Sequence, residues 1–198
     1  MHFIYVHQHF CTNEGTSGTR SYDVARHLAA QGHRVTVISG LSDSCGMARL
    51  PWYRWFQKRR MEGFDVLVCN VFYSNKLKPI RRMWAFCWFA VLATLRGLFV
   101  RRVDLVFATS TPLTVGIPGY LLGKRHRVPF VFEVRDIWPE SFVRSGWVTE
   151  RSLSIRLMAR LEAFIYKHAV KILVVSPGFE RRLIERGVPA EKLKTIPL

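Results

Sequence analysis

Cysteine is scarce and unpaired in this sequence. Cys11, Cys45, Cys69 and Cys87 contain no C-x-x-C pair, and no histidine stands at zinc-finger spacing from them. That pattern argues against a disulfide framework and a zinc site, and makes a reducing cytoplasm the default compartment. Acid is scarce too: 14 Asp and Glu stand against 30 Lys and Arg, for a formal net charge of +16. The opening MHFIYVHQHF has no basic lead and no long apolar run, so it reads as a first strand and not as a signal peptide. Neither a G-x-G-x-x-G run nor a Walker motif occurs, which withdraws support from dinucleotide binding and ATP hydrolysis. No repeat or low-complexity tract is found.

What is present is apolar and unevenly charged. Hydrophobic residues make up 49% of 198, enough for a real core. Residues 1–48 carry three basic and three acidic side chains, residues 49–127 carry 15 and three, and residues 128–198 carry 12 and eight. The excess therefore sits in the middle, beside the most apolar stretch, and points to an anionic surface: lipid headgroups or nucleic acid.

Short apolar runs alternate with helical stretches. Strands are expected at Phe3–His7, Val35–Ile38, Val66–Val71, Asp104–Thr109, Pro129–Val134 and Ile172–Val175. Thr19 or Ser21 can cap a helix running to Ala30, with Gly32 as its C′ residue. Further helices are expected near 80–100, 113–125, 152–168 and 177–186, while 41–60 reads as irregular. Alternating β and α argues for a parallel, doubly wound, Rossmann-like α/β sheet. The final LKTIPL starts another strand and stops at Leu198, which reads as a cut or a frameshift.

Ligands of such sheets sit at the carboxyl ends of the strands. After the first strand come His7 and a loop with Gly15 and Gly18 that feeds a helix at Thr19 and Arg20; its backbone N–H groups suit a phosphate. After the fourth come Ser110 and Thr111, which can equally be simple helix caps. After the fifth comes the densest polar cluster, from Glu133 to Ser141, with the carboxylates Glu133, Asp136 and Glu140 and the guanidinium of Arg135. Arg135 either pairs with Asp136 or Glu140 for structural reasons or offers donors to a phosphate or sugar hydroxyl. Ser176 opens the helix after the sixth strand, and a plain N-cap explains it well.

Residues 83–100 read MWAFCWFAVLATLRGLFV between dense basic flanks, Lys76, Lys78, Arg81 and Arg82 before and Arg101 and Arg102 after. As a helix this is about 27 Å long, just short of the hydrocarbon core. Trp84, Trp88, Leu92, Leu95 and Phe99 share one arc; Ala90, Ala93, Thr94 and Gly97 lie on or near the opposite one. A buried core helix and a spanning helix compete with a helix lying in the membrane interface. Tryptophans together with cations favour the interface.

HQHF followed by GTSGTRSY and ARHLAAQGHRVTVI resembles the opening of the family-four retaining GT-B glycosyltransferases, the WbuB-like subgroup. FEVRDIWPES, RLEAFIYKHA and ILVVSPGFERRLIERGVPAEKLKTIP are similar to that subgroup's later blocks, in order. The resemblance implies that 1–198 is the N-terminal, acceptor-side domain of a GT-B fold, without its C-terminal donor domain. It implies transfer of a sugar from a nucleotide-diphosphate sugar with retention, without a metal or other cofactor. It implies Arg135, Asp136 and Glu140 as catalytic candidates, and His7, Gly15, Gly18, Thr19, Arg20, Ser110, Thr111 and Ser176 as substrate-binding ones. The partners expected are a polyprenyl-diphosphate-linked acceptor glycan, the inner face of the cytoplasmic membrane and, in a split enzyme, a separate donor-domain chain. Such a half should be inactive alone. Alternatives are a GT-B nucleotide-sugar epimerase or hydrolase and a basic nucleic-acid-binding protein; the Trp-rich helix and the lack of any nucleic-acid motif argue against the last.

Overall fold

A computed structural model of the chain describes residues 1–137 and 153–197. Eight strands form one sheet: β1 (His2–Val6), β2 (Arg34–Ser42), β3 (Phe56–Met61), β4 (Phe64–Tyr73), β5 (Leu105–Thr109), β6 (Phe130–Val134), β7 (Lys171–Val174) and β8 (Leu193–Thr195). Among the described residues, five α-helices intervene: α1 (Arg20–Ala30), α2 (Pro79–Gly97), α3 (Gly116–His126), α4 (Leu153–His168) and α5 (Pro177–Glu185). The strand order is β3-β4-β2-β1-β5-β6-β7-β8, and every pairing but β3 with β4 is parallel. The direction of strand addition reverses between β1 and β5, which opens a crevice at their carboxyl ends.

Strand parity builds two cores. Ile4, Val6, Ile38, Leu67 and Cys69 face α2 and α3, with Phe89, Leu92 and Leu122 packed on them. Tyr5, Val35, Val37, Val66 and Val68 face the other way, where Tyr22 and Ala25 of α1 cover them. Burial on both faces is why these strands read as continuous apolar runs. Gly32, at φ +80°, ends α1 where a C′ glycine was expected.

The stretch read as irregular holds a strand. β3 pairs antiparallel with β4 through a two-residue turn, in which Glu62 and Gly63 both have positive φ (24° and 92°). Its FQKRRM sequence escapes a hydrophobicity scan because an edge strand gains from charge, which blocks further pairing.

Helix α2 splits lengthwise. Ala85, Phe86, Phe89, Ala90, Ala93 and Gly97 are buried, while Trp84, Trp88, Val91, Leu95 and the trailing Phe99 are exposed. Leu92, expected on the outer arc, is instead buried in the core. The helical repeat explains this: each four-residue step advances about 40° around the axis. Exposure accordingly falls from 70% at Trp84 to 44% at Trp88 and 1% at Leu92. Among the described residues, no helix is long and apolar enough to cross a membrane.

Candidate functional site

The carboxyl end of the sheet gathers a polar network around a carboxylate. Glu133, in β6, is 2% exposed. Its Oε1 accepts from Arg20 Nε at 3.0 Å, and its Oε2 accepts from Arg135 Nε at 3.1 Å and from the Thr109 hydroxyl at 2.8 Å. A buried carboxylate persists because it has these partners. The Arg20 side chain also donates to the carbonyls of Pro197 (2.7 Å) and Ile196 (3.2 Å), so it ties the start of α1 to the segment after β8. Arg135 is less committed. Its Nη2 reaches Ser21 Oγ at a long 3.5 Å, and its Nη1 has no partner among the described residues.

Beneath the arginines runs a second layer. The Tyr5 hydroxyl donates to Ser21 Oγ at 3.0 Å, and Ser21 Oγ lies 2.8 Å from His7 Nδ1. Burial, then the nearby Glu133 charge, raise the Tyr5 phenol to about 12. His7 is held well below its ordinary value by burial first, then by Arg135 and His9. His9 is lowered to about 4 by burial and by Arg82. His9 packs against Tyr73 with ring centroids 4.4 Å apart, and Tyr73 stacks on Phe86 of α2. The imidazoles are therefore neutral in a field of guanidiniums.

The loops around this network behave differently from one another. Gly15 is there for packing, since a Cβ would run into Cys11 Sγ and the Ser44 carbonyl, whereas a Cβ on exposed Gly18 would meet open space. Thr19 donates to Asp23 and leaves the first N–H groups of α1 without a side-chain cap. Ser110 Oγ accepts from the Arg135 backbone N–H at 2.8 Å, and the Thr111 hydroxyl donates to Asp136 at 2.7 Å. Thr111 has φ +103°, a strained value for a β-branched residue, beside the site.

The carboxyl-end loops thus bring His7, Thr19, Arg20, Ser110, Thr111, Arg135 and Asp136 to one end of the sheet. Arg135 pairs with Glu133, while Asp136, one of the two partners the sequence offered it, accepts from the Thr111 hydroxyl. Ser176 accepts from the Phe179 N–H at 3.3 Å and acts as the N-cap of α5. Glu140 lies outside the described residues. The sequence places Glu133 in the polar cluster after the fifth strand but assigns it no role, and it does not single out Thr109, Ser21 or Tyr5 as site residues. The available signal was a carboxylate inside the apolar run FVFEV, which has to be neutralised by something. Among the described residues, no group of three or more His, Cys, Asp or Glu side chains is arranged to hold a metal.

Residues 15–198 match the family described as glycosyl transferase 4-like domain. The chain belongs to that family. A probable glycosyltransferase of Pseudomonas aeruginosa, WbjE, is 31% identical over 102 residues, which is 50% of this chain and 24% of that protein. In fold the family domain is similar to GT-B glycosyltransferase structures. OtsA in its apo form aligns with TM-score 0.59 at 10% identity, over 100% of this chain and 49% of its own. HepE of Anabaena in complex with UDP aligns with TM-score 0.52 at 16% identity, over 100% and 44%. The chain spans less than half the length of the relatives it matches.

A second feature lies on the flank. The outer face of α2 continues onto the loop before β3, where Trp52, Tyr53 and Trp55 are exposed and the Trp55 ring lies 5.9 Å from that of Trp88. Lys76, Lys78 and Arg81 are exposed at the start of the helix. The aromatic surface is thus wider than the single helix face read from sequence.

Proposed function

We propose that this chain is the acceptor-side half of a retaining glycosyltransferase of the WbuB-like subgroup. It moves a sugar from a nucleotide-diphosphate sugar to a polyprenyl-diphosphate-linked glycan in surface polysaccharide synthesis. It works as a peripheral protein on the inner face of the cytoplasmic membrane, and a donor domain, on the same chain or a separate one, completes it. The observation that carries this reading is the pairing of two features on one domain. A guanidinium with a spare donor, Arg135, stands at the switch-point crevice beside the uncapped start of α1. An exposed aromatic face with basic residues at its edge runs along α2.

The chemistry follows from the residues. Arg135, already oriented by Glu133, is preorganised to meet diphosphate oxygens, and fixed donors stabilise developing charge better than water does. The free N–H groups of α1 add the positive end of a helix dipole. Arg20 acts as a positioning residue, since its donors are already committed to Glu133 and two carbonyls. Trp84, Trp88, Leu95 and Phe99 enter the headgroup region, which brings the crevice alongside a lipid-linked acceptor. No metal or cofactor is part of this reading.

The test is binding of a short-chain polyprenyl-diphosphate disaccharide, carried in neutral detergent, to residues 1–198. Saturable binding that falls at least tenfold in Arg135→Ala supports the acceptor role. Binding of a uridine-diphosphate sugar with no binding of the lipid-linked sugar would reverse the assignment of the two halves.

A further inference from the structure

The amino ends of the strands, at the far end of the sheet from the crevice, hold a cavity of about 420 Å³. Five cations line it: Arg34 at the start of β2, Lys58 of β3, Arg96 of α2, and Arg101 and Arg102 before β5. Asp65 is the carboxylate in the lining, and it is already bridged by Lys58 at 3.0 Å and Arg60 at 3.1 Å. Arg34, Arg96, Arg101 and Arg102 form no ion pair among the described residues. The end of α2 carries roughly half a negative charge, which one arginine answers. Lys58 is answered by Asp65, which leaves three further cations around the same space that repel each other unless an anion joins them.

The mouth of this cavity is not polar throughout. A groove of about 310 Å³ adjoins it, lined by Phe56, Leu95 and Phe99 and sharing Lys58, Arg96 and Phe99 with the cavity. The groove lies on the same side as the exposed face of α2. A free phosphate has no use for such a groove, whereas an acyl chain does. We propose that the cavity binds the phosphate headgroup of an anionic glycerophospholipid, with an acyl chain laid along the Phe56–Leu95–Phe99 groove. The site is separate from the transfer crevice, and it rests on the membrane reading of α2 only for the source of the phosphate. It fixes how far the domain can roll on a bilayer, because a headgroup must reach the amino ends of the strands while α2 lies flat.

Flotation of the full chain with vesicles of phosphatidylcholine, with and without phosphatidylglycerol, tests this. R34S/R101S/R102S should bind phosphatidylglycerol vesicles roughly a thousandfold more weakly, because direct guanidinium–phosphate contacts are lost along with the diffuse attraction. K76S/K78S/R81S, which removes the same charge outside the cavity, should lose about a hundredfold or less, the diffuse contribution of three surface charges. Equal losses in the two triples would mean diffuse charge and overturn the site. sn-Glycerol 3-phosphate should compete only weakly; competition as tight as vesicle binding would make the ligand a soluble phosphate and overturn the lipid assignment. If the arginine triple does not fold by near-UV circular dichroism, Arg101→Ser alone replaces it, with about fivefold expected. W84S/W88S separates this proposal from the membrane reading of α2. Release by the tryptophan pair with an unaffected arginine triple sinks the cavity alone, and the converse result sinks the α2 reading alone.

Discussion

Glu133 is the residue on which the crevice is organised, since one buried carboxylate orients both Arg20 and Arg135. Its removal leaves two partly covered guanidiniums without a counter-charge. Glu133→Ala should therefore cost about 3 kcal/mol, at the low end for a broken buried pair because both arginines are about a fifth exposed. In a chain of this size that lowers Tm by roughly 6–12 °C. A thermal melt within about 1 °C of wild type would show that solvent replaces the carboxylate. The histidines make a second residue-scale prediction. His7 and His9 have folded pKa values below the unfolded value of about 6.5, so the unfolded chain binds protons that the folded chain refuses. Stability is thus whole above about pH 6.5 and is lost as pH falls below it, at up to roughly 1.4 kcal/mol per unit for each histidine. For His9 the loss runs down to about pH 4. Urea midpoints measured from pH 7 to pH 4 should fall along that course, and His9→Gln should flatten the slope. An unchanged slope would mean His9 charges freely in the folded protein.

Helix α2 shows how an element divides its labour by rotation. Leu92 and Leu95 are three residues apart, yet one is 1% exposed and the other 46%. Leu92→Ala should cost about 2–5 kcal/mol and Leu95→Ala less than about 0.5, as read from denaturant midpoints. Similar losses at both positions would contradict the roll of the helix against the sheet. Trp84→Ser with Trp88→Ser should release the protein from anionic vesicles and leave the circular dichroism spectrum intact. Retained binding would mean that the exposed aromatics meet something other than lipid. The small-residue arc was legible in the sequence because Ala90, Ala93 and Gly97 recur at helical spacing. The aromatic loop at Trp52–Trp55 was not, because its position beside Trp88 depends on a strand pairing between residues distant in sequence from α2.

At the scale of the molecule, the proposed function makes the crevice one wall of a site. The structures of similar fold are more than twice the length that this chain spans, and the one in complex with UDP aligns with it over 44% of its own length. Purified residues 1–198 should not transfer sugar from any nucleotide-diphosphate donor. Product by mass spectrometry above the level of an Arg135→Ala control would overturn this. If transfer appears only when a separately expressed donor domain is added, the split reading of the enzyme stands.

The sequence by itself determined the parallel α/β architecture, because strands buried on both faces must be short and continuously apolar. It determined the family, because motif order survives in the linear text. It also determined which strand ends carry Ser110, Arg135 and Asp136, because a parallel sheet sends every carboxyl end the same way. Only the tertiary structure decided that Arg135 pairs with Glu133, that Leu92 turns inward, and that Arg34, Lys58, Arg96, Arg101 and Arg102 surround one cavity. Those residues come from β2, β3, α2 and the approach to β5, and no spacing along the chain encodes a meeting produced by sheet register and helix roll.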